Sequence, residues 1–477
     1  MRCFCKRLAM DSLLTEEVLS SDVVCLFGFS EEELDLFCDK KVIVFSEQEP
    51  FDIYFDGISC DLSSFSHICK EQIFQKFSYL LHPKFMGEEK ERMQEWIRRI
   101  QTVEWQVQLS FCEYEDFRIT VYNNLISSLD EKVDRTSFEE MKGLLQGVPA
   151  FICGAGPSLQ KDLIHLNGQK GIVFAGGAAL SCIENVHIAA GVDPSPCHER
   201  ATMKTKGVPF FYQPRFDASL LAKMEGPKFE VASNPGYLLE NWLEGKEPFD
   251  GGWTVTTFCT ALALHMGCNP IIFVGMDLAY GDDGSIYSQS VANPKEGKGI
   301  TWEGNRQTQK DWVLASSWIE QKAAAYPDRT FYTTSQEGLK MKGVIVTKLE
   351  ELRLSEIDVF SCLDKIKKNF SSSFIDAEKV LLLQNSIELS LYKVGRLLSL
   401  WERYYPEDPS SKGEFVLELV ELEEQIAYTL IVAPVWDVWQ YPIQRQGCRP
   451  GTEGIRQLLF FKEILEQYRK KGLWKSA

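Results

Sequence analysis

No run of about 18 consecutive apolar residues, the length that spans a bilayer, occurs anywhere in this 477-residue chain. An ordinary transmembrane helix is therefore not expected. Basic residues are in deficit: 51 Lys and Arg stand against 68 Asp and Glu, for a net charge of -17. A dedicated nucleic-acid binder would carry the opposite surplus, clustered so as to release phosphate counterions, and an anionic membrane surface would repel such a chain. Histidine is scarce, six in all, and none stands at a metal-ligand spacing such as HxH or HExxH. A P-loop GxxxxGK and a legible Ser-His-Asp arrangement are missing too. So are low-complexity and Pro/Gly-rich tracts, and with 44% hydrophobic and 25% charged residues the composition is that of a folded protein. The N-terminus, MRCFCKRLAMDSLLTEE, has basic residues but no apolar core segment before Asp11 and Glu16, so no signal peptide is expected and the cytoplasm is the expected compartment.

What is present begins with length enough for roughly two to four domains. The 14 cysteines, Cys25, Cys38, Cys60, Cys153 and Cys268 among them, are scattered through the chain and read as reduced, mostly buried thiols rather than a disulfide framework. Cys3 and Cys5 form a lone CxC without a partner pair or a nearby His, for which structural use is expected ahead of zinc. An acidic chain that takes a phosphorylated ligand must hold it by local devices such as backbone N–H groups and a helix N-terminus. Glycine-rich turns are where to look.

The first segment has two short apolar runs, Val23 to Phe27 and Val42 to Phe45, separated by an acidic stretch from Glu31 to Asp39 with helical spacing. This predicts a βαβ unit. Gly28 and then Glu47 and Glu49 stand where a dinucleotide-binding half puts its phosphate turn and ribose carboxylate. The acidic Phe29-Ser30-Glu31 continuation lacks GxGxxG, which predicts a structural half ahead of a working site. From Glu71 to Asp134 the amphipathic pattern, with Trp96, Trp105 and Tyr122, predicts a helical connector.

From Val148 the pattern changes to short apolar runs ending in Gly, Pro or Asp. Val148–Cys153, Gly171–Phe174, Val208–Phe211, Phe229–Ala232, Pro270–Val274 and Arg329–Thr333 are strand candidates. Near-continuous apolar strands alternating with helices predict a doubly wound, mostly parallel Rossmann-like sheet. Beyond Lys348, three-to-four spacing over Ile375–Tyr392, Phe415–Ile431 and Ile455–Leu473 predicts a helical C-terminal domain, broken at Tyr405-Pro406-Glu407-Asp408-Pro409 and Arg449-Pro450-Gly451. The expected domains are 1–140, 141–347 and 348–477.

Three features carry chemistry. Phe151-Ile152-Cys153-Gly154-Ala155-Gly156-Pro157-Ser158-Leu159 is a strand running into a GxGPS turn and then a helix. Two glycines permit close backbone approach, Pro157 suits the first helical turn, and Ser158 can cap it while donating to a phosphate oxygen. A tight βα turn of no special function is the alternative. Phe174-Ala175-Gly176-Gly177-Ala178-Ala179 likewise leaves room at a strand's carboxyl end, or simply packs helix on strand. The third is Gly251-Gly252-Trp253-Thr254-Val255-Thr256-Thr257, followed by an apolar helix and a strand into Gly275-Met276-Asp277-Leu278-Ala279-Tyr280. Asp277 is placed to hold a metal, a ribose or an acceptor hydroxyl, or to cap the next turn, and Tyr280 shares that mouth. His198, on the polar loop Pro196-Cys197-His198-Glu199-Arg200, is a candidate acid or base.

In this order, GAGPSL, GGWTVTT and GCNPIIFVGMDLAY, continued by Glu303-Gly304-Asn305 and Phe331–Leu339, resemble the bacterial and archaeal family that joins motility accessory factors with MptE-like 6-hydroxymethylpterin diphosphokinases. The resemblance covers about Met141 to Gly343, and the first segment looks like the small Rossmann-like domain that precedes this core in motility accessory factors. It implies one of two chemistries: transfer of a nonulosonic acid from a CMP-activated donor to a protein or glycan acceptor, or Mg²⁺-assisted transfer of diphosphate from ATP to a pterin. Carried onto this chain, it implies nucleotide binding by Gly154, Gly156, Pro157, Ser158, Gly176, Gly177, Thr254, Thr256 and Asn305, with Asp277, Tyr280 and His198 as catalytic candidates. Mg²⁺, where used, would fall to Asp277 with Asp282 and Asp283. The chain has Met276 where Gln is usual, Tyr287 where His is usual, and Gly191-Val192-Asp193-Pro194-Ser195-Pro196 in an altered loop. These departures motivate a third expectation, a nucleotide-binding or assembly protein without turnover.

Overall fold

The computed structural model describes residues 15–37, 39–45, 53–55, 58–60, 62–127, 136–166, 168, 170–196, 207–288, 299–302, 306–368, 376–405, 407–409, 412–445 and 453–471. They form two compact units, Met1–Glu115 with Pro434–Arg456, and Asp116–Ala433 with Gln457–Ala477. None of the described helices is long and apolar enough to cross a membrane.

The first unit contains α1 (Glu16–Leu19), β1 (Val23–Phe27), β2 (Lys41–Phe45), β3 (Ile53–Phe55), β4 (Ile58–Cys60), α2 (Leu62–Glu71), β5 (Phe77–Leu81) and the first part of α3 (Gly87–Ser127). Its sheet runs β4-β3-β2-β1-β5, with β1 parallel to both neighbours and β2, β3 and β4 antiparallel. Two details differ from expectation. The acidic stretch forms a 3-10 turn, Glu31–Phe37, and β5 interrupts the predicted connector before α3. Five residues, Phe-Ser-Tyr-Leu-Leu, are too few for a two-residue period to stand out from a helical one. The Gly28 turn is plugged: its φ is +78°, and a Cβ there would strike the buried Phe85 ring. Glu47 and Glu49 lie outside the described residues.

In the second unit β6 (Thr136–Ser137), β7 (Ala150–Cys153), α4 (Leu159–Leu166), β8 (Ile172–Gly176), β9 (Ile188–Gly191), β10 (Phe210–Tyr212), α5 (Ala218–Lys223), β11 (Lys228–Glu230), α6 (Leu238–Glu244), α7 (Val255–His265) and β12 (Ile271–Val274) follow in turn. After them come the hairpin β13 (Ile300–Trp302) and β14 (Arg306–Thr308), α8 (Lys310–Ala325), β15 (Phe331–Thr333) and β16 (Val344–Val346). The main sheet has the order β16-β15-β12-β7-β8-β9-β10-β11-β6, every pairing parallel. Both faces of β7 and β12 are buried, which is why they read as unbroken apolar runs. From β7 the chain steps one way through β8 to β11, then returns to the other flank for β12, β15 and β16. The winding direction switches between β7 and β12, and at such a point the loops diverge and leave a crevice at the carboxyl edge.

The C-terminal part is helical, as its spacing predicts: α9 (Val359–Lys368), α10 (Ala377–Tyr404), α11 (Gly413–Glu423), α12 (Ala433–Arg445) and α13 (Glu453–Lys471). The Tyr405–Pro409 break separates α10 from α11; the Arg449–Gly451 break lies outside the described residues. Val380, Leu383, Ile387, Val394 and Leu397 make one buried stripe on α10, and Lys379 Nζ donates to the Trp242 carbonyl at 2.7 Å.

At the end of α6 the Glu244 carboxyl is buried and accepts from Ser233 N–H (3.0 Å) and Ser233 Oγ (2.5 Å). Burial, reinforced by Glu230 and Glu240 and partly offset by the Ser233 bonds, pushes its pKa up from 4.5 to about 7. Between those values the unfolded chain gives up the proton while the folded one keeps it, so stability falls as pH rises and the loss is complete above pH 7. At ~1.4 kcal/mol per pKa unit the loss approaches about 3 kcal/mol. Glu244→Gln should match the wild type near pH 4.5 and melt above it at pH 8; thermal denaturation at the two pH values checks this, and parallel curves would refute the burial account.

Candidate functional site

The strands around the switch point end level: Cys153 pairs with Val274 on one side and with Ala175 on the other. The turns that follow, at Gly154, Gly275 and Gly176, leave the sheet together. They are packed backbone to backbone. Gly154 N–H donates to Val274 O and Gly156 N–H to Gly275 O, each at 2.8 Å, and a Cβ on Gly154 would sit 2.5 Å from the Gly275 carbonyl oxygen. Gly275, with φ +62°, would press a Cβ into Leu159. A Cβ on Gly156 would strike the Asp277 carboxylate.

Asp277 is 7% exposed. Its Oδ2 accepts the Ser158 N–H at the start of α4, at 2.8 Å, and its Oδ1 accepts the Ser335 hydroxyl, which in turn accepts from Gly338 N–H at 3.1 Å. Its carbonyl accepts from Leu339 N–H at 2.9 Å. The next residue, Leu278, has φ +51°, a left-handed conformation that costs a branched residue energy; Thr308 Oγ1 holds its carbonyl at 2.6 Å. The helix N-terminus expected to meet a phosphate therefore carries an anion from its own chain, and Ser158 Oγ is buried with no hydrogen-bond partner among the described residues.

Beside this junction lies a cleft of about 640 Å³. Pro157, Ser158, Asp277 and Tyr280 line it, joined by Lys161, Asp162, His165, Tyr287, Thr334 and Lys348. Ser158, Asp162 and His165 succeed one another at helical spacing on one side of α4. Thr334 Oγ1 donates to Asp162 Oδ2 at 2.6 Å, and His165 Nε2 meets Glu350 at 2.8 Å. Burial raises the Asp162 pKa, against the Thr334 bond and with Asp277 as a nearby like charge. Tyr280 packs its ring 5.4 Å from that of Trp312, and its hydroxyl accepts from Gln309 Nε2 at 2.8 Å. The segment from Tyr280 returns to the glycine turn, where Ser288 N–H donates to the Ala155 carbonyl at 2.8 Å. Asp282 and Asp283 are exposed on this segment, and hydrogen bonds from Ser285 hold the Asp283 carboxyl below its usual range.

Gly176, Gly177, Thr254 and Thr256 share the same sheet edge but do not line that cleft. A Cβ on Gly176 would collide with Val255 at the start of α7. Thr254 caps this helix: its Oγ1 accepts from Thr257 N–H at 3.2 Å, while Thr257 Oγ1 accepts from Thr254 N–H at 2.8 Å, a reciprocal capping box. Thr254 Oγ1 and Thr256 Oγ1 are 2.8 Å apart. His198 and Asn305 fall outside the described residues, as do Cys3 and Cys5; the described cysteines are free and most are buried. Among the described residues no three His, Cys, Asp or Glu side chains converge as a metal site would require. Sequence reasoning did not single out Lys161 or Asp162, and met Thr334 and Ser335 only inside the Phe331–Leu339 stretch, with no role assigned to them. The signal it could have used is position alone, since Thr334 and Ser335 follow a buried strand at its carboxyl end just as Asp277 does.

No curated protein matches this chain. Among solved structures, the MAf glycosyltransferase from Magnetospirillum magneticum AMB-1 is similar with a TM-score of 0.53 and 13% identity, over 87% of this chain and 68% of that one. The sialyltransferase CstII from Campylobacter jejuni, in complex with the substrate analogue cytidine-5'-monophosphate, aligns at a TM-score of 0.27 and 13% identity over 47% of this chain and 99% of that one. The model of the family described as 6-hydroxymethylpterin diphosphokinase MptE-like matches residues 123–283, which hold β7 through β12 and the Asp277 junction. Residues 123–283 are thus similar to the MptE-like family, and the chain as a whole shares its fold with a MAf glycosyltransferase.

Proposed function

We propose that this protein is a cytoplasmic transferase that takes an activated acidic sugar from a CMP-linked donor and passes it to a hydroxyl of a protein or glycan acceptor. The observation that carries this reading is the switch point between β7 and β12, where glycine turns and a cleft open together at the carboxyl edge of a parallel sheet. The fold shared with a chain named as a glycosyltransferase supports it. The donor's nucleotide lies along the turns of Gly154–Ser158, Gly176–Gly177 and Thr254–Thr256, and the acceptor enters by the cleft. Because Asp277 occupies the Ser158 N–H, the phosphate is met by the Ser158 hydroxyl and by the exposed Lys161 cation. As the sugar carbon leaves the phosphate oxygen, negative charge grows on CMP, and the Lys161 cation, with the Ser158 hydroxyl once it turns toward the cleft, stabilises that charge. The acceptor hydroxyl gives its proton to a carboxylate; Asp162, with one oxygen held by Thr334, faces the cleft for that role. Asp277 then acts by holding the turns rather than by touching the reacting atoms.

The family match favours a second reading, diphosphate transfer from ATP to a pterin. It asks for Mg²⁺ near the phosphates, with Asp277, Asp282 and Asp283 as the carboxylates at hand.

Calorimetric titration with CMP and with an ATP analogue, each with and without Mg²⁺, separates the readings. CMP binding without a metal requirement is the expected result; ATP binding that needs Mg²⁺ would replace the first reading by the second, and no binding would leave an assembly role on this scaffold. Gly156→Ala should lower the affinity for whichever nucleotide binds by at least about tenfold, because the new Cβ displaces Asp277 and the turn; unchanged affinity would remove the turn from the site. Asp277→Ala strands the Ser158 N–H and the Ser335 hydroxyl, and should cost about 2–4 kcal/mol of stability, visible as a lower melting temperature.

A further inference from the structure

The turn that brings Thr254 to the sheet edge is held by a side chain that no motif marks. Asn234 lies just beyond β11. Its Oδ1 accepts from Gly251 N–H at 2.8 Å, and its Nδ2 donates to the Gly252 carbonyl at 3.0 Å. Gln213, fully buried beyond β10, donates to the same Oδ1 at 3.2 Å and to the Ala232 carbonyl at 3.1 Å, which fixes the amide's orientation. Asn241 holds the Asn234 carbonyl from α6 at 3.1 Å. Gly251 and Gly252 offer no side chains of their own, and neither could: a Cβ on Gly251 would come within 2.9 Å of Phe258, and Gly252, at φ +71°, would press one into Thr257. Their position depends on backbone groups, and a primary amide can accept from an N–H and donate to a neighbouring C=O at once. A carboxylate of the same shape could only accept.

We infer that Asn234 is a positioning residue of the nucleotide crevice: by clamping Gly251 and Gly252 it sets Thr254 and Thr256 beside Gly176. This inference rests on the reading of that edge as a nucleotide site. Anchored to the ends of two neighbouring strands, the clamp passes the rigidity of the sheet to the two glycines themselves, while the residues before them are tied by Phe249 N–H to the Ser233 carbonyl and by Asp250 to Trp318 and Lys322 of α8.

The test uses the full chain as wild type, Asn234→Ala and Asn234→Asp, with two readouts: amide hydrogen exchange at Gly251 and titration with CMP, or with ATP and Mg²⁺ if that is what the wild type binds. In Asn234→Ala the Gly251 amide should exchange about tenfold faster or more and nucleotide affinity should fall about tenfold, with β7 and β12 still protected. Asn234→Asp keeps the acceptor, so it should restore slow exchange at Gly251. Unchanged exchange or unchanged affinity in Asn234→Ala overturns the inference while nucleotide binding by the wild type leaves the functional reading standing. If Asn234→Ala loosens the sheet as a whole, Asn234→Asp decides, and fast Gly251 exchange there also overturns it. A wild type that binds neither nucleotide defeats the functional reading and the crevice role together.

Discussion

A carboxylate buried where several loops meet has to be matched by donors, or it would draw its proton back or open the junction. Asp277 is matched on both oxygens, by the amide that begins α4 and by the Ser335 hydroxyl beyond β15. Through it the ends of β7, β12 and β15 are tied to one another. The glycines around it follow from this convergence: side chains at Gly154, Gly156 or Gly338 would push against Asp277, its carbonyl or the Gly275–Met276 backbone before it, and one at Gly275 would press on Leu159 and the Gly154 carbonyl. Ser335 and the left-handed Leu278 belong to the same knot, since the chain can hold Leu278 in a costly conformation only while hydrogen bonds from Thr308 and Leu339 fix the residues around it.

The glycine turn shows what a sequence can and cannot disclose. GxGPS after a buried strand says that something approaches the backbone too closely for a Cβ. It does not say what. Here a large part of that demand is met internally, by Gly275 and Asp277, whose contacts with the turn span more than a hundred residues of sequence and leave no local pattern. That the glycine turns lie at strand carboxyl ends was legible, because strand and turn signals fix where those ends are; the strand order that makes β7 and β12 a switch point was not. The occupation of the helix N-terminus by an internal carboxylate left no such signal: Asp277 takes the Ser158 N–H that the motif offers to a phosphate.

The same distinction runs through the fold. Strands buried on both faces, such as Ala150–Cys153 and Ile271–Val274, announce themselves as apolar runs, and the main parallel sheet could be read from them. Ile188–Gly191 is just as buried, but its Ile-Ala-Ala-Gly composition carries little β propensity, and Val344–Val346 sits at an edge with its side chains largely exposed. In the first unit the βαβ pattern was readable and so was its lack of a full glycine fingerprint. Phe85, which fills the Gly28 turn, gives that lack a physical form: the space a phosphate would need is taken by an aromatic ring.

The two chemistries that the resemblance implies differ in the bond that breaks. Sugar transfer cleaves the link between the sugar carbon and the phosphate oxygen, so charge accumulates on a departing nucleotide and the protein must steady that one phosphate. Diphosphate transfer cleaves within the triphosphate chain and spreads charge over several phosphates, which is where divalent cations and a pair of free carboxylates contribute most. Asp277, the deepest carboxylate of the cleft, has both oxygens committed to the chain's own donors, and Asp282 and Asp283 lie exposed on the segment beyond it. Each Asp277 oxygen already accepts one hydrogen bond, so a cation there would share those oxygens with Ser158 and Ser335. Lys161 and the two exposed carboxylates of that segment stand at the same cleft, so a single phosphate and a metal-bridged chain of phosphates would draw on different groups there, and the metal requirement of nucleotide binding separates the two chemistries.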